Sequence, residues 1–430
     1  MMNLIHKLKN DPRIRNSLWM LIEKGISLFG LIFIISAVAK YTGPTIYGEI
    51  ALAASIFIVL KTIAQLGLDQ IYFKYVSQNK PYHSLFLENS MIFVSIIYII
   101  LSIFVVMWAY FNTSFTGFFF ISSTAIAYYF TSIDLTNSFY EGQLLSKFNV
   151  LANIIGLFIA LILRYSIVYF KLNVLYLSIP IILMSLIPFL IKFIIYKCKY
   201  HINFNKVKSK KQTKRYFSYF LGAGIPLTLA ILTATINGQI SNFLLAYLEG
   251  TKSVGIYSIA FVLAGAWCIM PTTLIMSYMT SIYNINIENK YEYIKLSNKV
   301  LFNIIILSLI IVILLEFSAY YIVTFLYGNE YLKSIEILRC LLIFQFFWVI
   351  GFYFSRLIIK FNGYKFLAYK SIFCCLLNLA LSYFFIKKWG VIGAAYAVLV
   401  TEVISSLVLN LFYRKANLIK VLLPIGVNRL

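Results

Sequence analysis

The sequence predicts an all-α, polytopic membrane protein. Its about twelve transmembrane helices would form two six-helix lobes around a central cavity, related by an axis along the membrane normal. Three observations predict it. Hydrophobic residues make up 61% of the 430-residue chain and charged residues only 12%, about half the ~25% of an ordinary soluble domain. Twelve apolar runs each reach or approach the ~20 residues that cross a bilayer. The basic residues are crowded into alternate connections between those runs.

The first two spans, 17–39 and 46–68, carry the most chemistry. Glu23 and Lys24 sit side by side inside the first, although a charge at the centre of a membrane helix costs about 2.5–3.5 kcal/mol on insertion scales. Asn16, Glu23, Ser27 and Gly30 follow helical steps along one polar stripe, with Ser17 and Lys24 beside it. The second span runs the opposite way and carries Lys61, Gln65 and Asp69 in steps of four. If both spans meet the cytoplasmic surface near Asn16 and Leu68, Lys24 lies ~12 Å deep and Lys61 ~10 Å deep. Intramembrane charges face a cavity or a partner rather than lipid. Two ammonium groups at similar depth would suit an anionic headgroup, with Glu23 balancing their charge. A structural Glu23–Lys24 pair, or snorkelling of Lys24 to the headgroups, is the competing reading.

Spans 89–110, 117–136, 148–170 and 174–196 complete the first lobe. Arg164 falls near one end of the fifth span and reads first as a snorkelling residue. The stretch "KCKYHINFNKVKSKKQTKRY", residues 197–216, is the most basic connection and lies at the midpoint of the chain. It divides an N-terminal lobe, 1–196, from a C-terminal lobe, 217–430.

The second lobe comprises spans 217–247, 252–283, 299–322, 335–358, 366–387 and 390–412. Span seven places Thr228, Thr235, Gln239 and Asn242 on one stripe, and "GAGIP" at 222–226 can kink its start. Gln239 and Asn242 are candidates to bond sugar hydroxyls, or equally to bind helices together. Arg339 reads as a second snorkelling residue. Glu402, about midway along the last span, is either a structural hydrogen-bonding group or the carrier of a coupling proton. The lobes look duplicated. "GPTIYGEIALAA" from Gly43 and "GTKSVGIYSIAF" from Gly250 share a Gly-x-x-x-x-Gly turn 207 residues apart. At that offset Lys24 corresponds to Ile231 and Lys61 to Cys268, so a shared fold does not itself demand the two charges.

The net charge of +23 is topology rather than a nucleic-acid footprint. When charges close to a span end are counted with the connection they adjoin, the N-terminal segment, the even-numbered connections and the tail hold 27 of the 37 Lys and Arg. The odd-numbered connections hold 6, and Lys24, Lys61, Arg164 and Arg339 remain within spans. By the positive-inside rule both termini are cytoplasmic. Ala37-Val38-Ala39 has the form of a signal-peptidase site, but the long basic segment and Glu23-Lys24 are wrong for a signal peptide. Cys198, Cys268, Cys340, Cys374 and Cys375 show no C-x-x-C spacing and read as small apolar packing residues. His6, His83 and His201 are scattered among connections, which argues against a metal site. No G-x-x-x-x-G-K-[ST] occurs.

Asn-Ser-Leu at 16–18, "YTGPTIYGEIALA" between the first two spans and "QLGLDQ" closing the second resemble the Wzx-type flippases of O-antigen and other surface polysaccharides. These belong to the multidrug/oligosaccharidyl-lipid/polysaccharide (MOP) exporter superfamily. "EGTKSVGIYSIAF", "LYGNEYLKSIEILRCLLI" and "WGVIGAAYAVLV" follow in the order such proteins show. The resemblance covers essentially the whole chain. It implies transport of an undecaprenyl-pyrophosphate-linked oligosaccharide from the cytoplasmic to the periplasmic leaflet of a bacterial inner membrane by alternating access, without enzymatic chemistry. It further implies lipids and other polysaccharide-assembly proteins as partners, no bound cofactor, and a coupling ion, H+ or Na+. Relatives often have an acidic residue in span seven where this chain has Ser241 and Asn242, which puts coupling there in doubt. The candidate substrate-binding residues are Lys24, Lys61, Gln65, Gln239 and Asn242; Glu23 and Glu402 are the candidates for charge balance or coupling. The alternatives are a multidrug or lipid II exporter of the same architecture, and a membrane polysaccharide polymerase or glycosyltransferase. An exporter of lipophilic cations would want acidic cavity residues. A membrane enzyme would want a large catalytic loop, which the short outward connections do not provide.

Overall fold

The structure, a computed structural model, describes residues 12–79, 83–200, 210–286 and 288–422. The side chains of some helical residues, Asn16 and Lys24 among them, lie outside the described residues, as do His6, His201 and 201–209 of the basic linker. Every long element is a helix. Ten described helices are long and apolar enough to cross a membrane, and eleven when one pair bent by 42° is taken as a single span.

The count is of the described residues alone, and the first two expected spans are two helices that run together at a kink. Helix α1, Pro12–Gln65, has 54 residues and breaks at Gly43 (φ 71°, ψ 170°). At 1.5 Å per residue it is more than twice as long as an apolar bilayer core is thick. The arm from Ile34 onward meets the length and apolarity of a span. Leu66 and Gly67, both at positive φ, end α1 before the short α2, Leu68–Ser77. The expected step of four from Lys61 and Gln65 to Asp69 is therefore interrupted, and Asp69 belongs to another helix. Next come α3, His83–Asn112, α4, Phe115–Ile133, α5, Thr136–Gly142, α6, Ser146–Tyr169, and α7, Ser178–Lys199. Helix α8, Lys210–Leu248, stays helical through the Gly222–Pro226 stretch expected to kink it. Gly224 instead serves close approach: a Cβ there would lie 2.6 Å from the Leu66 carbonyl oxygen.

Gly250 opens α9, Thr251–Ala266, with φ 89° and ψ 176°, nearly the backbone of Gly43. This region of φ/ψ space is essentially restricted to glycine, so the two motifs match in conformation as well as spacing. Then follow α10, Ile269–Asn284, α11, Lys290–Tyr327, α12, Ser334–Lys360, and α13, Tyr364–Trp389. Helix α14, Val391–Val403, continues into a π-helical turn at Ile404–Leu409, and α15 is Leu418–Leu422.

The chain divides into two compact units, Met1–Thr235 and Ile236–Leu430. In the first, α1 packs on α4 and α6, and α7 packs on α4 and α6. Small residues set these approaches: Gly30 meets Leu161, and Gly156 meets Pro188. Phe86 and Phe93 each meet Phe220 edge to face, and Phe93 meets Phe217 likewise. In the second unit α12 is central, packed by α9, α11 and α14, while α13 lies on α14. Large apolar side chains such as Phe104, Phe111, Phe317 and Phe325 point outward, which lipid tolerates because its tails are as apolar as leucine.

Candidate functional site

The first unit contains a cavity of about 570 Å³ bounded by α1, α4, α6 and α7. The local helix geometry explains what reaches it. Ile50, Ala54, Ile58 and Lys61 form one stripe on the second arm of α1, and Glu23 and Ser27 reach it from the first arm. Asn153, Leu157 and Arg164 form a third stripe on α6. Asn153 and Arg164 are eleven residues apart, about 16 Å along the axis.

Among the described residues, three charged side chains line this cavity: Glu23, Lys61 and Arg164. Asn153 Nδ2 donates to Glu23 Oε1 at 2.6 Å, fixing the carboxylate to α6. Lys61 lies within Coulomb range of Asp69 and Asp134. Neither forms an ion pair with it; Asp134 is held by Lys192 and also accepts from Thr136 Oγ1 at 2.6 Å. The Lys192 and Asp134 side chains are only 4% and 11% exposed. Arg164 has no carboxylate partner among the described residues. Its Nη2 contacts Met184 Sδ at 3.9 Å, and its buried Nη1 makes no hydrogen bond. Among the described residues the lining thus holds two cations against one carboxylate, and neither cation has an ion-pair partner. A concave, low-dielectric surface with unpaired cations has the electrostatics of an anion site.

The candidates from sequence are distributed as follows. Glu23, Ser27 and Lys61 converge on the cavity. The side chain of Lys24 lies outside the described residues. Gln65 Nε2 donates to the Ser132 carbonyl at 2.9 Å, tying α1 to α4. Gln239 accepts from Asn242 Nδ2 at 3.2 Å within α8 of the second unit. Glu402 is also in the second unit, against Gly351 of α12.

Two cations did not stand out in the sequence. Arg164 lines the cavity rather than reaching headgroups, and its register with Asn153 and Leu157 was the available sign. Lys192 is buried rather than part of the basic linker; apolar residues on both sides of it were the available sign. Arg339 makes an exposed ion pair with Glu316 at 3.1 Å.

Long apolar helices joined in series, with a cavity lined by charged side chains inside the first unit, define a polytopic helical membrane protein. The profile of the polysaccharide biosynthesis protein family matches residues 14–283, and the chain belongs to that family. It is 28% identical over 227 residues to the capsular polysaccharide biosynthesis protein CapF of Staphylococcus aureus; the match spans 51% of this chain and about half, 54%, of that relative. Its fold is similar to the lipid II flippase MurJ in an inward closed conformation, with TM-score 0.73 and 18% identity over 97% of this chain and 92% of that one. It is also similar to an inward-facing multidrug resistance MATE transporter of the MOP superfamily, with TM-score 0.59 and 16% identity over 94% and 95%.

Proposed function

We propose that the protein is a flippase that moves an undecaprenyl-pyrophosphate-linked oligosaccharide, a surface-polysaccharide repeat unit, from the cytoplasmic to the periplasmic leaflet of a bacterial inner membrane, with both termini cytoplasmic. The observation that carries this reading is the cavity with Lys61 and Arg164 unpaired and Glu23 pinned by Asn153. A pyrophosphate entering the membrane loses hydration that fixed cations replace. Lys61 receives it, aided by Lys24 on the neighbouring arm, and Arg164 holds it further along α6. Glu23 keeps the surplus charge small enough for release. Gln65, Gln239 and Asn242 remain candidates for the sugar from the sequence alone. A lipophilic-cation substrate fits this charge balance poorly. A lipid II exporter fits it as well as an oligosaccharide flippase does, and membership of the polysaccharide biosynthesis family favours the latter.

The test is complementation of a strain deleted for this gene. Wild-type protein restores surface polysaccharide, whereas Lys61→Ala and Arg164→Ala reach the membrane in normal amounts and do not. Normal polysaccharide from both variants at matched protein levels sinks the proposal. Restored peptidoglycan precursor transport in a strain lacking its lipid II flippase, without effect on polysaccharide, would replace it with the lipid II reading.

A further inference from the structure

The second unit contains a polar cluster that the proposed substrate path does not use. It forms where α14 runs into the π-helical turn Ile404–Leu409; such widened turns occur disproportionately at functional sites. Glu402 lies eleven residues into α14, about 16 Å from its start and so near the middle of an apolar core ~30 Å thick. Gly351 of α12 makes room for it: a Cβ there would lie 2.8 Å from Glu402 Oε1 and 3.1 Å from Ser406 Cβ.

Lys370 of α13 lies within Coulomb range of Glu402 but makes no ion pair with it. Its ammonium instead donates to Asn410 Oδ1 at 2.8 Å, and Asn410 Nδ2 in turn donates to the Ser406 carbonyl at 3.2 Å. Among the described residues Glu402 accepts no hydrogen bond, and the buried hydroxyl of Ser406 has no partner. The charged and titratable groups facing Glu402 are Lys370 and, through electrostatics alone, the Cys374 thiol, both from α13. From α12, Gly351 lies against it.

An ionised carboxylate in this setting would draw the nearby ammonium onto itself, because charge separation is costly where water is excluded. An ammonium resting on a neutral amide is the arrangement that suits a neutral carboxyl. A metal cation would have to compete with the fixed charge of Lys370, so the ligand that fits is a proton. We propose that Glu402 is a proton-binding site whose occupancy selects the partner of Lys370. With the proton bound, Lys370 stays on Asn410. When the proton leaves to water, Lys370 moves to Glu402 and Asn410 loses its bond to α13, so the end of α14 and its π turn are released from their present anchor. A role for this exchange in driving transport rests on the flippase reading above; the protonation site itself does not.

The test uses the purified full-length protein in liposomes and dicyclohexylcarbodiimide, which modifies protonated carboxyls in apolar surroundings. Peptide mass spectrometry locates the adduct. Glu402 is labelled in acidic medium, labelling declines as the medium is made alkaline, and excess Na+ at constant pH does not protect it. Lys370→Met raises labelling severalfold in alkaline medium. Asn410→Ala, which removes the neutral partner of Lys370, lowers labelling severalfold in acidic medium. A buried carboxyl with a purely structural role would not respond in opposite directions to two neighbours. Absence of labelling in folded wild-type protein, identical pH profiles in both variants, or protection by Na+ overturns the proposal. If Lys370→Met does not fold, the Asn410→Ala profile decides alone. Loss of polysaccharide in Lys61→Ala with the Glu402 profile intact separates a failure here from a failure of the substrate reading.

Discussion

Replacing Lys61 with alanine removes a cation from the cavity without orphaning a carboxylate. Asp134 keeps its ion pair with Lys192, and Glu23 keeps its hydrogen bond from Asn153. The change should therefore be read in ligand binding rather than in folding. Two unit charges 4 Å apart attract by about 4 kcal/mol at an effective dielectric constant of ~20. Stripping water from both offsets much of this, and a hydrogen bond to a charged group nets about 1.5–3 kcal/mol. Lys61→Ala should thus weaken binding of a short-chain polyprenyl pyrophosphate roughly 10- to 150-fold. Arg164→Ala falls in the same range, and Lys61→Arg retains most of the affinity because the charge is kept. The assay is isothermal titration of detergent-solubilised protein with the pyrophosphate, and with the corresponding neutral alcohol as control. The alcohol should bind all forms alike. Pyrophosphate affinities within about threefold of wild type for both alanine variants, at unchanged melting temperature, would refute the assignment.

Three further outcomes follow from the same geometry. Glu23→Gln keeps an oxygen to accept from Asn153 while removing the one carboxylate of the cavity, so pyrophosphate binds several-fold tighter and cellular transport slows; unchanged affinity removes Glu23 from charge balance. Lys192→Ala leaves Asp134 buried and uncompensated at a cost of about 3–5 kcal/mol, seen as a clear drop in melting temperature that adding Asp134→Asn partly restores; equal stability of the single variant and wild type would mean the pair is neutral. Gly43→Ala and Gly250→Ala each force a side chain into a backbone region that costs about 1–3 kcal/mol, so both variants lose stability by similar amounts, and a tolerated alanine at either position would show that the turn can rearrange.

The helices were legible because the bilayer fixes their length and polarity. Most apolar runs lie within one helix each, although the first two meet at the kink in α1 and 252–283 divides into α9 and α10; the paired Gly turns proved to share one backbone conformation. The site was legible in part. Glu23 and Lys61 stood out because charges inside an apolar run have few explanations. Arg164 and Lys192 were harder, because a cation a few residues from a span end is compatible with snorkelling, with a loop or with burial, and the choice depends on which helices pack beside it. The break at Leu66–Gly67 was hidden for a related reason: a leucine at positive φ leaves little trace in composition, so Asp69 looked like a continuation of the Lys61 face. The neutral Asn410 gave no sign that it holds Lys370, since that bond joins helices forty residues apart.

The pairing of Asp134 with Lys192 also bears on how the chain is made. The two residues are 58 positions apart, and α6 lies between their helices. At a synthesis rate of roughly 5–20 residues per second, the carboxylate at the end of α4 emerges several seconds before the ammonium that neutralises it. During that interval Asp134 has Lys61 within Coulomb range but lacks its ion-pair partner, so hydration at the membrane boundary is favourable for it. Arrival of α7 thus closes the unit electrostatically.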